Sequence, residues 1–492
     1  MTTPKLINWR ALLVLLLALG GLLRLIDLTD PPLDFHPTRQ LRNSIIARGI
    51  YYDLLPNADP STRALADTIA RAPARYEPPV SESLMALTYL VAGGESIAIP
   101  RIYGTIFWLL AGFCLFDLAR RIAGSPAAGL VSLAYFLILP FAVQASRSFQ
   151  PDPLMTTFAF IGIYFLYRWS ESEGASWKFA ILAAVFIGFA AFIKIFIGFI
   201  IGGAAVALVL FTLKGRFWRS PQVWVMAVIM VLPALLFYFI GDRGNSTEYI
   251  TNWSLDMLKL ITSTDFYTKW LAFLGSLFGQ TFIFLSLAGS LLAAPRGRAL
   301  MIGLWAGYLF YGLSVPFQMY THSYYHVQLT PIISLGLAPI AALILRRASE
   351  EKPAWQAGLI VLVVAIAGYQ SWVARSVLMS EDFRAEPAYW QSVGEVIPVN
   401  AKVIALTQDF GYRLMYYGWR HVDLWPLASG LAQVRGNQIN AAKIFAETAL
   451  DKDYFLVTAF NQLEKQPDLA KILAGYPIAS QGEGYILYDL KP

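Results

Sequence analysis

The sequence predicts a mainly α fold: a polytopic helical membrane protein of about eleven transmembrane helices, with a small C-terminal α/β domain outside the cytoplasm. Composition carries the first part of that expectation. Of 492 residues, 57% are hydrophobic and only 14% charged, whereas ordinary soluble domains carry roughly 25% charge. Mean hydropathy is +0.53. The apolar residues fall in long blocks, and the basic residues fall in the short loops between them.

An apolar block of about 18 residues reads as a spanning helix, because lipid offers no partner for an unpaired backbone group. The spans expected are 10–28, 99–119, 127–145, 153–169, 177–193, 195–213, 222–241, 271–293, 299–318, 327–345 and 355–374. The fifth and sixth come from one apolar run over 177–213, about twice the length one helix needs. Lys194 interrupts it near the middle, where a turn at the membrane surface places the charge at lower cost. Lys5 and Arg10 precede the first block and no small-residue cleavage site follows, so the block reads as a retained signal anchor.

Orientation follows from charge. Arg120-Arg121, Arg168, Lys178, Lys214, Arg216, Arg219, Arg296, Arg298 and Arg346-Arg347 all fall on one side if the N-terminus is cytoplasmic. The segment after Ser376 then lies outside. The same placement explains the net charge of +6 without nucleic acid, which is not an expected partner. A single cysteine, Cys114, excludes an intrachain disulfide, so an outer domain must hold by its own core.

Three outer regions remain: 29–98, where 39–52 reads as an amphipathic surface helix, then 242–270, and the C-terminal stretch from about 385. In the last, 402–407, 454–458 and 485–490 read as strands, and 437–450 and 462–473 as helices. The expected domains are therefore 1–375, membrane part with its large first loop, and 376–492, a small α/β domain.

Polar residues beyond those that set orientation gather at the outer mouths of the spans. They are Asp34, His36 and Arg39 after the first span, then Glu77 in Tyr76-Glu77-Pro78-Pro79, and Arg101 at the start of the second. Arg147 and Asp152 follow in Ser146-Arg147-Ser148-Phe149-Gln150-Pro151-Asp152, then Lys194, and His322 with Tyr325 in His322-Ser323-Tyr324-Tyr325-His326. Carboxylates, imidazoles and cations are thus delivered to one side of one membrane, away from cytoplasmic nucleotides. The lipid bilayer itself is a partner, and an activated group there rides on a lipid phosphate. Cations suit the phosphate leaving group, and a carboxylate suits general-base activation of a hydroxyl.

In the order and sidedness of these motifs the sequence resembles the GT-C class of membrane glycosyltransferases, which use polyprenyl-phosphate sugars. Within that class it looks most like the bacterial relatives of protein O-mannosyltransferases and of the lipid A aminoarabinose transferase. The resemblance implies a GT-C-like fold and inverting transfer of a sugar from a polyprenyl-phosphate donor to a lipid, glycan or protein acceptor. It implies Asp34 as catalytic base, with Asp152 or Glu77 as a second carboxylate. His36, Arg39, Arg101, Arg147, Lys194, His322 and Tyr325 become substrate-binding candidates. No cofactor is required by this reading, and a divalent cation is compatible with it. A bacterial inner membrane is the implied location. The sequence departs from the family's frequent Asp-Glu doublet: Phe35 and His36 follow Asp34, which makes His36 a candidate to share its work.

Each candidate has a plainer reading. Aspartate after two prolines is a good helix N-cap. Arg24 and Asp27, three apart, suit a helix-face ion pair. Arg147 and Asp152 suit a bridge across a tight loop, and Lys194 suits snorkelling. His322 and His326 have a chelating spacing but no third ligand nearby. Asp451-Lys452-Asp453 imitates an Asp-x-Asp motif yet sits where acidic turn residues are ordinary. The rival functions are a transporter or lipid flippase and a non-catalytic lipid-binding scaffold. Transporters place charge at mid-membrane, whereas the charges here sit at helix mouths.

Overall fold

The computed structural model describes residues 8–241, 251–252, 254–430 and 438–491. The expected outer region 242–270 and the start of the helix expected over 437–450 fall partly outside these residues. The chain forms two compact units. One takes in the N-terminus to Thr29, Arg75–Ser81 and Ala98–Glu381; the other Asp30–Ala74, Glu82–Ile97 and Asp382–Pro492.

In chain order the first helices are α1 Trp9–Leu25, α2 Pro37–Leu54, α3 Pro60–Arg71, α4 Val80–Ala92, α5 Ala98–Ala123, α6 Pro126–Ile138, α7 Pro140–Arg147, α8 Pro151–Glu171, α9 Trp177–Ile193, α10 Gly198–Leu213 and α11 Pro221–Leu235. Proline opens six of them, where its missing N–H has no helical partner to lose. Ser125 and Ser176 cap α6 and α9 by accepting from Ala128 and Phe179 N–H. Further helices are Thr264–Phe278, Gln280–Leu292, Pro295–Ser314, Leu329–Ser349 and Pro353–Leu378.

Helices occupy the positions of the expected spans, but two of those spans are not straight. The third breaks into α6 and α7 at 61°, because Pro140 cannot donate into α6. The eighth, expected over 271–293, is instead two helices meeting at 95° across Gly279, whose φ of 77° favours glycine. By length and composition, five helices among the described residues can cross a membrane, or seven if each bent pair is one span. α1 and α9, at 17 residues each, fall short of that measure.

Helices of this unit approach closely where they carry glycine. A Cβ at Gly203 would strike the backbone of Gly303, and one at Gly307 would strike that of Phe199. Small residues are what let backbones meet where lipid gives no hydrophobic drive. Near the basic loops, Arg121 pairs with Asp117 at 2.7 Å and with Glu171 at 2.9 Å.

The second unit holds a five-stranded sheet: β1 Val403–Leu406, β2 Asp423–Leu424, β3 Tyr454–Val457, β4 Ile478–Gly482 and β5 Tyr485–Asp489, in the order β2-β1-β3-β5-β4. β1 is parallel to β2 and β3, while β5 is antiparallel to β3 and β4. The strand period sorts its side chains. Ile404, Leu406, Phe455 and Val457 face a core with Trp425, Leu469 and Leu473. Val403, Ala405, Leu456 and Leu487 face a second core completed by Trp390 and Val393 and by Leu33, Leu41, Ile45 and Ile69 of the first outer loop. That loop therefore packs with the C-terminal segment, although the sequence reading assigns it to the membrane part.

The surface helix expected over 39–52 is corrected too. α2 buries Gln40, Arg42, Asn43, Ser44 and Arg48. It tolerates this because the polar groups are paired: Gln40 donates to Phe35 O, Arg42 to Ala74 O, and Arg48 to Glu95 and Tyr416 O. Arg48 lies between the Tyr416 and Trp419 rings, 4.1 and 4.2 Å from their centroids. Burial opposes its charge, but Glu95 raises its pKa above the ordinary arginine value. Asp451-Lys452-Asp453 is turn chemistry, with Lys452 on Asp423 at 2.7 Å and Asp453 on Lys491 at 3.2 Å. The helix expected over 462–473 is two short ones, Phe460–Leu463 and Pro467–Leu473, since Pro467 starts a new one.

Gly303→Val should overpack the α10 crossing and cost roughly 1–3 kcal/mol or more. The expected result is loss of the monodisperse peak on size exclusion in detergent. Gly202→Ala, where the added carbon meets nothing within 4 Å, should leave the peak unchanged.

Candidate functional site

Lys194 ends α9 with extended backbone, φ −154° and ψ 111°, before the turn Ile195–Ile197 leads into α10. The break brings its ammonium inward. Nζ lies 2.7 Å from Asp152 Oδ1, and the two side chains are 5% and 1% exposed. Lys194 thus does not snorkel. It also sits over the rings of Tyr324 and Tyr325, 5.3 and 4.5 Å from their centroids. Asp152 takes one of the three N–H donors an ammonium carries, and Asp152 Oδ2 is buried without a hydrogen-bond partner. The partner of Asp152 is therefore Lys194, forty-two residues on, where the sequence reading had offered Arg147.

Arg147 and Arg101 do different work. Arg147, 1% exposed, donates to the carbonyls of Arg24, Ile26 and Asp27. Arg101, 2% exposed, donates to Asp27 and Leu28 O at 3.1 and 3.0 Å. The last carbonyls of a helix have no intrahelical partner, and these two guanidiniums supply one at the end of α1, where Asp27 takes φ 52°. Arg24, paired by spacing with Asp27, donates to Ser146 Oγ at 2.7 Å and to Gly20 and Leu137 O at 2.8 and 2.9 Å. Both substrate-binding candidates hold the chain that leads out of the first helix.

His322 is half-buried, its Nδ1 2.7 Å from Thr321 Oγ1 and its ring 6.2 Å from that of Tyr325. Tyr325 in turn stacks on Tyr311 at 6.3 Å. Lys194, Asp152, Tyr325 and His322 thus form one group. His326 is not its second imidazole: its Nε2 meets Met319 O at 3.0 Å and its Nδ1 the Tyr308 hydroxyl at 2.6 Å. Both nitrogens are committed to protein, which removes the chelating pair. Among the described residues no three His, Cys, Asp or Glu side chains are grouped to hold a metal ion. Glu77 belongs to the same unit, half-buried after α3.

Asp34, His36 and Arg39 belong to the second unit. Their loop is buried at Asp30, Pro31, Pro32, Leu33 and Phe35, leaving Asp34 and His36 half-buried. Asp30 Oδ1 accepts from Phe383 N at 3.0 Å. His36, at φ 49°, turns the chain into α2 in the left-handed region, which costs a non-glycine residue about 1–2 kcal/mol. Thr38 Oγ1 then donates to Asp409 Oδ1 at 2.9 Å. Asp409, Thr38 and Tyr324 were not singled out from sequence. The signals available were Gly411 after Asp409-Phe410, and the second tyrosine beside Tyr325.

Residues 76–240, which contain Glu77, Arg101, Arg147, Asp152 and Lys194, match the model of the dolichyl-phosphate-mannose-protein mannosyltransferase family. ArnT from Cupriavidus metallidurans bound to undecaprenyl phosphate is similar over 98% of this chain and 97% of its own, with TM-score 0.59 and 15% identity. Its apo state gives 0.61 and 13% over 96% and 97% of the two chains. The oligosaccharyltransferase AglB from Archaeoglobus fulgidus, in complex with an inhibitory peptide and a dolichol-phosphate, gives 0.54 and 14% over 98% and 74%.

The fold is that of the GT-C membrane glycosyltransferases. No curated protein matches the chain by sequence. An apolar cavity of about 540 Å³ has Ile195, the residue after Lys194, in its wall. Phe196, Phe199, Leu255 and Leu258 line it, with Ser254 and Ser314 as its polar contributors.

Asp152→Leu leaves the Lys194 ammonium buried without its counter-charge and should destabilise the protein by about 3–5 kcal/mol. Adding Lys194→Met should recover most of that loss, since an apolar pair needs no counter-charge. Thermal unfolding in detergent reads both; equal melting of the single variant and wild type would contradict the pairing.

Proposed function

We propose that the protein is a glycosyltransferase that moves a sugar from a polyprenyl-phosphate donor to an acceptor hydroxyl at the outer face of the membrane, with inversion. The observation that carries this reading is Lys194. It is a buried cation with donors to spare, over two tyrosine rings, and the next residue lines an apolar cavity. A phosphate joined to a long apolar chain needs a cation and an apolar wall in that order. The similar proteins include one bound to undecaprenyl phosphate and one in complex with a dolichol-phosphate.

Asp34 serves as general base on the acceptor hydroxyl. Transfer then forms the new C1–O bond as the C1–O bond to the lipid phosphate breaks; the hydroxyl proton goes to Asp34 and the electron pair leaves on phosphate. Lys194 steadies that departing charge. In this reading Asp152 orients Lys194 through their 2.7 Å contact, and Arg101 and Arg147 hold the end of α1 through its carbonyls. Glu77 remains the second carboxylate, Arg39 a cation of the first loop, and His36, His322 and Tyr325 are assigned to sugar or acceptor. The bacterial inner membrane, with the C-terminal segment outside, is the location this chemistry fits.

Purified protein should release lipid phosphate from polyprenyl-phosphate sugars when given a membrane extract as acceptor. Asp34→Asn should lower that turnover about 10²–10⁴-fold with folding intact. Turnover indifferent to Asp34→Asn removes Asp34 as base. No turnover by wild type across a broad donor panel removes the transferase.

A further inference from the structure

The loop that carries Asp34 is bracketed by the C-terminal segment. On its N-terminal side the Asp30 carboxylate, 2% exposed, accepts from Phe383 N at 3.0 Å and lies 3.8 Å from the Arg384 guanidinium. On its C-terminal side Thr38 donates to Asp409 at 2.9 Å. Between these clamps Leu33 is built into the core with Trp390, Leu414 and Val422. Three side chains are left half-buried in this stretch, Asp34, His36 and Pro37, and the first two are titratable.

Asp409 is itself tightly held. Its Oδ2 accepts from Arg413 Nε at 2.6 Å, Arg413 Nη1 reaches Glu386 at 3.1 Å, and the same Glu386 oxygen accepts from Trp390 Nε1 at 2.7 Å. Asp409, Phe410 and Gly411 all take positive φ, at 47°, 55° and 73°. Two consecutive non-glycine residues in that region persist only where the surroundings over-determine them. A core needs no such turn to close, yet this one presents a carboxylate to Thr38, one residue past the Pro37 that follows strained His36.

We propose that Asp409 is a positioning residue for the Asp34 loop, acting through Thr38, so that the C-terminal segment sets the base before any acceptor arrives. This rests on Asp34 being the base. The carboxylate has two oxygens and two tasks: one anchors to Arg413, the other fixes the first turn of α2. Asp30 does the same from the other end with a backbone N–H.

The test uses full-length protein in detergent and three variants: Thr38→Val, Thr38→Ser and Asp409→Asn. Thr38→Val keeps the volume and the Asp409–Arg413 pair but loses the hydroxyl donor. It is expected to lower kcat about ten-fold or more, to leave the donor KM and the melting temperature unchanged, and to shift the acidic limb of the pH–rate profile. Thr38→Ser is expected to rescue kcat to within about two-fold of wild type. Amide exchange over residues 31–37 gives a readout independent of turnover, and should quicken in Thr38→Val and Asp409→Asn but not in Thr38→Ser. Unchanged exchange in Thr38→Val overturns the clamp. Faster exchange with unchanged kcat overturns its part in the reaction. Wild type without turnover, but with the expected exchange pattern, overturns the transferase reading instead and leaves the clamp standing.

Discussion

The ion pair of Lys194 and Asp152 is the constraint around which the membrane unit is arranged. A charge near the middle of an apolar run must be paired, hydrated or brought to the surface. Here it is paired, and the pairing dictates geometry. The helix stops at Ile193, the backbone extends for one residue and tightens into a turn, and α10 resumes the run. Asp152 sits in the first turn of α8, where a carboxylate also meets the favourable end of the helix dipole. Tyr324 and Tyr325 complete the enclosure with ring faces. Burying two charges gains little net stability even when they are well paired. A pair kept in such a place therefore makes better sense as a device for holding a cation ready than as a brace.

A second theme is the use of arginine on backbone carbonyls. Arg24, Arg101 and Arg147 are all nearly inaccessible, and the acceptors shown for them are mostly main-chain oxygens near the end of α1 and the bend at Leu139. Irregular backbone at membrane depth is tolerated where protein satisfies it, and these guanidiniums supply that satisfaction. The chain can then leave α1 without a helical cap, and it is this exit that leads to Asp34.

Much of this was legible in the sequence, and the illegible part has a common cause. Apolar blocks, prolines and basic loops mark the helices, and Lys194 marks its own break, because each is a local signal. The group Asp152, Lys194, His322 and Tyr325 was named from sidedness alone. Its internal pairing was not, since forty-two residues separate the two charges and nothing local ties them. The roles of Arg101 and Arg147 were hidden for another reason: a carbonyl acceptor has no sequence signature. The 95° break at Gly279 lies in a run that reads as unbroken, because one glycine is tolerated inside a helix. The first loop joins the C-terminal segment through Leu33, Leu41 and Ile45. These look like ordinary apolar residues of a polar loop until the sheet they cover is seen.

The account rests on a single displacement at the anomeric carbon, with one carboxylate drawing a proton from the acceptor while phosphate departs. The anomeric configuration of the transferred sugar, read by NMR on the isolated product, tests this most directly. The account predicts a configuration opposite to that of the donor. A product of the same configuration would require two successive displacements through a covalent sugar–protein intermediate, and would contradict it.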